Sequence, residues 1–195
     1  FYNSSILFDV RKRHNIPESA QIILSVGRQH PKKNYSIIPE IIQYLLDKNS
    51  EAYWIVIGEG VTSIIEDSIA EEIKNKIILI DELNYDHNKN VEVPTDELIN
   101  YYKQSDLFAM TSSIETFGIV LIEAMAAGLP IICFDAPGIV DVMDSKYGYI
   151  CKGGDIATFK LKLLELLNSD NGLLSRESIR NSENYSWEKI SDMYL

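Results

Sequence analysis

The sequence predicts an α/β fold in which a doubly wound parallel sheet is covered by helices on both faces. Short apolar runs rich in β-branched residues recur along the chain, and each is followed by a longer stretch with helical spacing of apolar residues. Continuous apolar runs are typical of strands buried in a parallel sheet, and the intervening helices supply the right-handed crossovers. No linker, internal repeat or low-complexity segment divides the chain, so residues 1–195 are predicted to form a single domain.

The order of these runs predicts six strands and the helices between them. The strands are expected at residues 21–26, 53–57, 76–80, 106–110, 130–134 and 147–150. The helices are expected at residues 37–46, 64–73, 94–104, 118–127 and 139–143, with two or three more after residue 155. In such a sheet, ligands bind beyond the carboxyl ends of the strands, so a ligand site is expected in the loops there.

Composition and charge exclude several classes of protein. A hydrophobic fraction of 46% excludes disorder as the main state, and a net charge of −11 argues against general nucleic-acid binding. Residues 1–33 hold six basic and two acidic side chains and so carry +4, which leaves −15 for the rest. No apolar run reaches the roughly 18 residues of a membrane span. Cys133 and Cys151 form neither a disulfide framework nor a zinc motif, which favours a reducing, cytoplasmic compartment. Any membrane association is expected to come from a part of the protein outside this chain.

The loop after the first strand is basic. Arg28, Lys32 and Lys33 follow Gly27 at a strand's carboxyl end, where they could bind a diphosphate or could simply form a solvated surface loop. His30 in the same loop could bind a phosphate or be solvated. The loop after the second strand is Gly-Glu-Gly, without the third glycine of a dinucleotide-binding fingerprint.

The predicted helix at residues 118–127 is apolar almost all round, and Glu123 is its only charge. A buried carboxylate needs hydrogen-bond donors, which could be sugar hydroxyls, a core tyrosine, serine or lysine, or the cation of a structural ion pair. Glu115 lies just before this helix and could face the same cleft. The first amides of the helix form a potential anion site, and they belong to Gly118, Ile119 and Val120.

The Glu115-to-Glu123 segment, with Phe117-Gly118 between the two carboxylates, resembles the signature of the group 1 (family 4) retaining glycosyltransferases, which have the GT-B fold. Other segments resemble this family in the same order along the chain. They are Ser25-Val-Gly-Arg28 with Lys33, Leu107-Phe-Ala-Met-Thr-Ser-Ser, Glu123-Ala-Met-Ala-Ala-Gly-Leu-Pro130 and Tyr185-Ser-Trp-Glu.

The resemblance implies a nucleotide-diphospho sugar, linked to UDP, GDP or ADP, as co-substrate. It implies that Arg28 and Lys33 bind the diphosphate and stabilise the departing nucleotide in place of a metal, so no metal or other cofactor is expected. No Asp-x-Asp motif occurs in the sequence. Glu123 would bind the ribose, and Glu115 would contact the transferred sugar as nucleophile or electrostatic support. The remaining implied donor contacts are Gly27, Phe117, Gly118, Ile119 and Val120, with residues 81–83 near the base.

Two segments depart from the family pattern. Residues 84–93 form a longer loop than expected, and residues 136–141 have one glycine and an aspartate where the family has Gly-Gly-x-x-Glu. GT-B enzymes have two Rossmann-like domains, so the chain is expected to supply only the donor-binding domain, to require an acceptor domain outside it, and to transfer nothing alone. The alternative is a non-catalytic module that acts as partner subunit of another transferase. A sugar-nucleotide epimerase and a dehydrogenase are less favoured by the motifs.

Overall fold

The computed structural model describes residues 5–64, 69–81, 83 and 94–185. Its strands form one six-stranded parallel sheet of order β3-β2-β1-β4-β5-β6. The strands are β1 (Gln21–Val26), β2 (Ala52–Ile57), β3 (Ile77–Ile80), β4 (Leu107–Met110), β5 (Ile131–Phe134) and β6 (Gly148–Cys151). The predicted fold class is therefore confirmed, and each strand end lies within one residue of its predicted position.

The strand order reverses between β1 and β4, which are hydrogen-bonded neighbours although two strands separate them in sequence. Chain growth moves outward from β1 to β3 on one side and from β4 to β6 on the other. Such a reversal leaves a crevice at the carboxyl ends of the two central strands, because the following loops diverge to opposite sides. Val26 and Met110 end these strands, so the crevice lies next to the basic loop and the glutamate-containing loop.

Helices cover both faces of the sheet. They are α1 (Val10–His14), α2 (Ile38–Asp47), α3 (Glu71–Lys74), α4 (Asp96–Lys103), α5 (Ile119–Ala126), α6 (Ile156–Leu167) and α7 (Gly172–Ser182), with short 3-10 turns between some of them. One face packs on α2 and α6 through a cluster that includes Trp54 and Phe159. The other packs on α4 and α5 through a cluster that includes Tyr102, Phe108 and Leu121.

Helix α5 is apolar on nearly every side because it is enclosed on more than one side. It packs against β5 and α7, and its residues Leu121, Ala124 and Met125 are fully buried. Ser175 and Ser178 of α7 donate hydrogen bonds to backbone carbonyls just beyond the end of α5, at 2.6 and 3.1 Å. This enclosure fixes the position of the α5 N-terminus at the edge of the crevice.

Two helix predictions were wrong. Residues 139–143 form consecutive turns instead of a helix, and the N–H of Ile139 bonds to Ala136 while that of Met143 bonds to Ile139. The apolar residues of this segment, Ile139, Val142 and Met143, are buried and anchor the turns. Between β2 and β3, the helix expected at residues 64–73 is not continuous, because Ile69 and Ala70 are not helical and α3 begins only at Glu71, while residues 65–68 lie outside the described part. No described helix has the length and apolarity needed to cross a bilayer.

Candidate functional site

The loops that follow β1 and β4 are tied together at the crevice. The Thr111 hydroxyl donates to the Lys33 carbonyl oxygen at 2.6 Å, and the Ser113 N–H donates to the Lys32 carbonyl oxygen at 2.8 Å. Both bonds join residues far apart in sequence across the point where the strand order reverses. The basic loop is therefore held in a defined position relative to the loop that carries Glu115.

The loop after β5 supports Glu115 from the other side. The Glu115 N–H donates to the Pro137 carbonyl oxygen at 2.9 Å, and the adjacent Gly138 has φ +79°. A Cβ atom on Gly138 would overlap the Glu115 carbonyl group, so this close approach requires glycine. The departure from the expected Gly-Gly-x-x-Glu pattern leaves this supporting glycine in place.

The Glu115 carboxylate contacts two donors through the same oxygen. Lys33 Nζ lies 2.5 Å from Glu115 Oε1, and the Ser112 hydroxyl donates to that oxygen at 2.9 Å. The Lys33 and Glu115 side chains are 17% and 14% exposed, so water screens this ion pair only partly. Glu115 Oε2 has no hydrogen-bond partner among the described residues. The site therefore presents one oxygen of an oriented carboxylate next to a cation.

Gly27 leaves space for the Lys33 side chain. A Cβ atom at Gly27 would lie 2.9 Å from both Cε and Nζ of Lys33, too close for the present position of the ammonium group. The Tyr35 hydroxyl donates to the Gly27 carbonyl oxygen at 3.0 Å. Burial, with a smaller effect of the Glu115 carboxylate, raises the pKa of Tyr35, so this hydroxyl keeps its proton and remains a donor.

Arg28 and His30 have different roles in the basic loop. Arg28 is exposed, and its guanidinium makes no hydrogen bond or ion pair with the described residues, so it is available to a ligand. His30 Nδ1 instead accepts from the Lys32 N–H at 3.1 Å and caps the 3-10 turn Pro31–Lys33. His30 therefore shapes the loop that carries Lys33.

The N-terminus of α5 follows directly after the loop that carries Glu115. Gly118 has φ +71° and precedes the helix without a side-chain cap, which leaves the N–H groups of Ile119 and Val120 at an uncapped helix start. Such groups attract an anion through their own hydrogen bonds and through the helix dipole. The Ile119 side chain is 61% exposed and Phe117 is 46% exposed, and the Phe117 ring meets Tyr185 edge-on.

Glu123 is buried further along α5. The Tyr102 hydroxyl donates to Glu123 Oε2 at 2.8 Å, and Glu123 makes no ion pair with any residue described. Burial raises its pKa to about 7, although the hydrogen bond from Tyr102 opposes that rise. Of the partners open to Glu123 from the sequence, the core tyrosine is confirmed and the structural ion pair is wrong for the described residues.

A family model matches most of the chain, including the residues of this site. Residues 8–184 match the family described as glycosyl transferases group 1. The chain belongs to the group 1 glycosyl transferases. The resemblance identified from the Glu115–Glu123 segment is confirmed to this extent.

Relatives and one solved structure agree with this assignment. The chain is 31% identical to an uncharacterized glycosyltransferase of Haemophilus influenzae, over 86% of this chain and 46% of that protein. It is 29% identical to the poly(ribitol-phosphate) alpha-N-acetylglucosaminyltransferase of Staphylococcus aureus, over 94% and 37%. A crystal structure of a mutant of S. aureus TarM with fondaparinux, alpha-GlcNAc-glycerol and UDP superimposes with a TM-score of 0.71 at 26% identity, over 93% and 36%. The chain spans less than half the length of these relatives.

In this group 1 glycosyl transferase chain, the structure brings Gly27, Lys33 and Glu115 together, with Arg28 in the same loop and Phe117 to Val120 at the adjoining helix start. Ser112 and Tyr102 were missed from the sequence. Ser112 lies directly after β4, which is a signal that the sequence offers, whereas the contact of Tyr102 with Glu123 depends on helix packing.

Asp81 accepts from the Thr62 N–H and hydroxyl at 2.9 and 2.8 Å, which lowers its pKa. Its expected position near a base stays a prediction, and residues 82, 84–93 and 186–188 lie outside the described part.

The part of the chain that the structure describes contains no group of three His, Cys, Asp or Glu side chains placed to hold a metal ion. Donor binding without a metal stays a prediction for this domain. The cations available at the site are Lys33 and Arg28, and the uncapped start of α5 adds partial positive charge.

Proposed function

We propose that this chain is the donor-binding domain of a retaining, family 4 glycosyltransferase that transfers a sugar from a nucleotide-diphospho sugar to an acceptor in glycan or polysaccharide biosynthesis. The observation that carries the proposal is the meeting of the Lys33 ammonium and the Glu115 carboxylate beside the uncapped N-terminus of α5. A cation next to helix amides suits a diphosphate, and a carboxylate within contact of that cation suits the sugar attached to it.

The cationic groups of the site would bind the diphosphate, and the Glu115 carboxylate would contact the sugar. Lys33 and Arg28 would neutralise the negative charge that grows on the diphosphate as the bond to the sugar breaks, and the amides of Ile119 and Val120 would bind its oxygens. Glu115 Oε2 would face the transferred sugar, because Oε1 is already held by Lys33 and Ser112. Positive groups fixed before the ligand arrives stabilise a leaving group without reorganisation at the moment of reaction.

The second carboxylate would bind the nucleotide rather than the sugar. Glu123 lies one helical turn beyond Ile119, so its side chain projects from the same region of α5 as the first amides. A nucleotide whose phosphates meet those amides would place its ribose hydroxyls toward Glu123. The UDP named with the S. aureus TarM structure, and the sugar-transfer names of the relatives, support a nucleotide sugar as the ligand.

Calorimetric titration of the full-length protein tests the donor class. UDP, GDP and ADP, and sugar conjugates of each, are titrated in the presence of EDTA. We expect one nucleotide series to bind, with EDTA making no difference, because the cations of this site belong to the chain. Failure of all three series to bind would overturn the proposal.

Glu115→Gln in the full-length protein tests catalysis. The amide keeps the size of the side chain but loses the charge next to the sugar, and we expect transfer to fall on the order of 100-fold. Nucleotide affinity should change little, because the phosphate contacts remain. Glu40→Gln is the matched control, since Glu40 is a surface carboxylate paired with Lys160. Unchanged transfer by Glu115→Gln would overturn the role of Glu115, and absence of transfer by the wild-type protein would instead favour a non-catalytic module.

A further inference from the structure

We propose that Tyr102 is a positioning residue of the nucleotide site, whose hydroxyl holds one oxygen of Glu123 so that the other oxygen is presented to the ribose of the donor. This inference rests on the proposed function, because it assigns a ribose to Glu123. Tyr102 itself would not touch the ligand, since its side chain is fully buried.

Tyr102 is fixed by its surroundings before any ligand binds. It lies near the end of α4, and its ring stacks on Phe108 of β4 with centroids 5.8 Å apart. Its hydroxyl is 2.8 Å from Glu123 Oε2 and 3.4 Å from the Val120 carbonyl oxygen. A phenol has one proton to donate, and the shorter contact with the carboxylate takes it. A tyrosine held in this way fixes the direction of the Glu123 side chain.

The second oxygen of Glu123 remains available. Glu123 Oε1 has no hydrogen-bond partner among the described residues, and no described side-chain oxygen is both fully buried and unpaired. Oε1 therefore keeps contact with solvent although the residue as a whole is only 8% exposed. This opening is where a hydroxyl pair could reach the carboxylate.

The same hydrogen bond favours the charged form of Glu123. Burial disfavours the carboxylate, and the Tyr102 hydroxyl is the group that opposes this effect. Burial, the Glu123 carboxylate and, to a smaller extent, Tyr35 raise the pKa of Tyr102, so its hydroxyl keeps the proton that it donates. Helix α5 also packs on β5 and α7. The ionisable side chains there make no hydrogen bond or ion pair with Glu123; these are Cys133 on β5 and Arg176, Glu177 and Arg180 on α7. Removal of the Tyr102 hydroxyl should therefore leave Glu123 protonated to higher pH.

Tyr102→Phe in the full-length protein tests the inference, with UDP and inorganic pyrophosphate as probes. We expect UDP to bind about tenfold more weakly at pH 7, because Glu123 without the Tyr102 hydrogen bond is then largely protonated, and to regain most of that affinity at pH 9, where its carboxylate is charged. Pyrophosphate affinity should not change, since pyrophosphate has no ribose. Tyr101→Phe is the matched control, because this buried neighbour on α4 places its hydroxyl against His14 and away from α5.

The outcomes separate a positioning role from a structural one. The carboxyl pKa of Glu123, measured by carbon NMR, should rise in Tyr102→Phe and stay unchanged in Tyr101→Phe. An unchanged pKa, or an equal loss of UDP and pyrophosphate affinity at both pH values, would overturn the inference and leave the proposed function intact. If the wild-type protein binds none of UDP, GDP and ADP, the proposed function fails and this inference fails with it.

Discussion

Glu115 and Glu123 are held in different ways. Glu115 is partly exposed and shares one oxygen between a lysine and a serine. Glu123 is buried and has a tyrosine hydroxyl as its described partner, so its pKa lies near 7. The two residues are therefore suited to different contacts.

Ser112→Ala should weaken catalysis without changing the charge of the site. The Ser112 hydroxyl is one of the two donors that orient Glu115, and its loss should lower kcat/KM about fivefold, as expected for one hydrogen bond. Steady-state kinetics of the full-length protein measure this change. Ser113→Ala is the control, because that exposed hydroxyl bonds only to a loop carbonyl. Equal effects of the two variants would show that Ser112 does not orient Glu115.

Glu123→Gln should stabilise the fold at high pH. Glu123 has an ordinary pKa near 4.5 when unfolded and about 7 when folded, so the unfolded chain loses this proton first as pH rises. The free energy of unfolding therefore falls between those two pH values and stays lower above them. Glutamine cannot ionise, so the variant should gain on the order of 2–3 kcal/mol at pH 8 and nothing at pH 4.5. Urea unfolding at both pH values measures the difference, and an equal gain at each would contradict the assignment.

At the residue scale, the sequence predicts the charged groups of the site better than their neutral partners. Lys33, Glu115 and Glu123 stand out because charge next to a strand end or within an apolar helix needs an explanation. Tyr102 does not stand out, because a tyrosine in an amphipathic helix is an ordinary core residue. Its hydroxyl meets Glu123 only after α4 and α5 pack on the same face of the sheet.

At the scale of elements, the strands are the most predictable part. The apolar runs of β1, β2, β4 and β5 are buried on both faces, so burial and sequence pattern agree there. Short elements are less predictable because tertiary contacts decide them. Helix α1 has one buried side chain and is capped by Asp9, and its basic sequence shows no apolar period. Residues 139–143 have apolar spacing but lie beside Gly138, whose backbone serves Glu115.

Ser25→Ala should weaken the centre of the sheet. The Ser25 hydroxyl on β1 donates to the Ala109 carbonyl oxygen on β4 at 2.6 Å and accepts from the Trp54 indole on β2 at 3.0 Å. All of these groups are buried, so the substitution leaves an indole N–H without its partner and should cost about 1–3 kcal/mol of unfolding free energy. Urea unfolding measures the cost, with Ser19→Ala on the surface as control. A loss no larger than the control's would contradict this role.

At the scale of the whole molecule, the site is open. It lies on loops at one edge of a single sheet, and Arg28, Phe117 and Ile119 are exposed there. A cleft with one wall neither excludes water nor positions an acceptor. We therefore expect residues 1–195 alone to bind nucleotide weakly and to transfer no sugar, as measured by titration and by product formation. Turnover by this chain alone would contradict the expectation, and the full-length protein serves as the positive control.

The charge distribution agrees with a small anionic ligand. Residues 1–33 carry +4 and the remaining residues −15, so positive charge is concentrated in the part of the chain that supplies Arg28 and Lys33. The acidic remainder would repel an extended polyanion at long range. A single diphosphate would meet only the local positive charge at the crevice.

The hydrogen bonds between the loops also affect the motion of the site. The amides of Ser113 and Glu115 lie outside the strands, yet each bonds to a carbonyl of another loop. Such an amide exchanges its hydrogen with solvent only when its hydrogen bond opens. For Ser113 this requires the loops after β1 and β4 to separate, which would also move Lys33 away from Glu115, and for Glu115 it requires the loops after β4 and β5 to separate. The exchange rates of these two amides therefore report how often the empty site comes apart, and they would slow when a ligand bridges the loops.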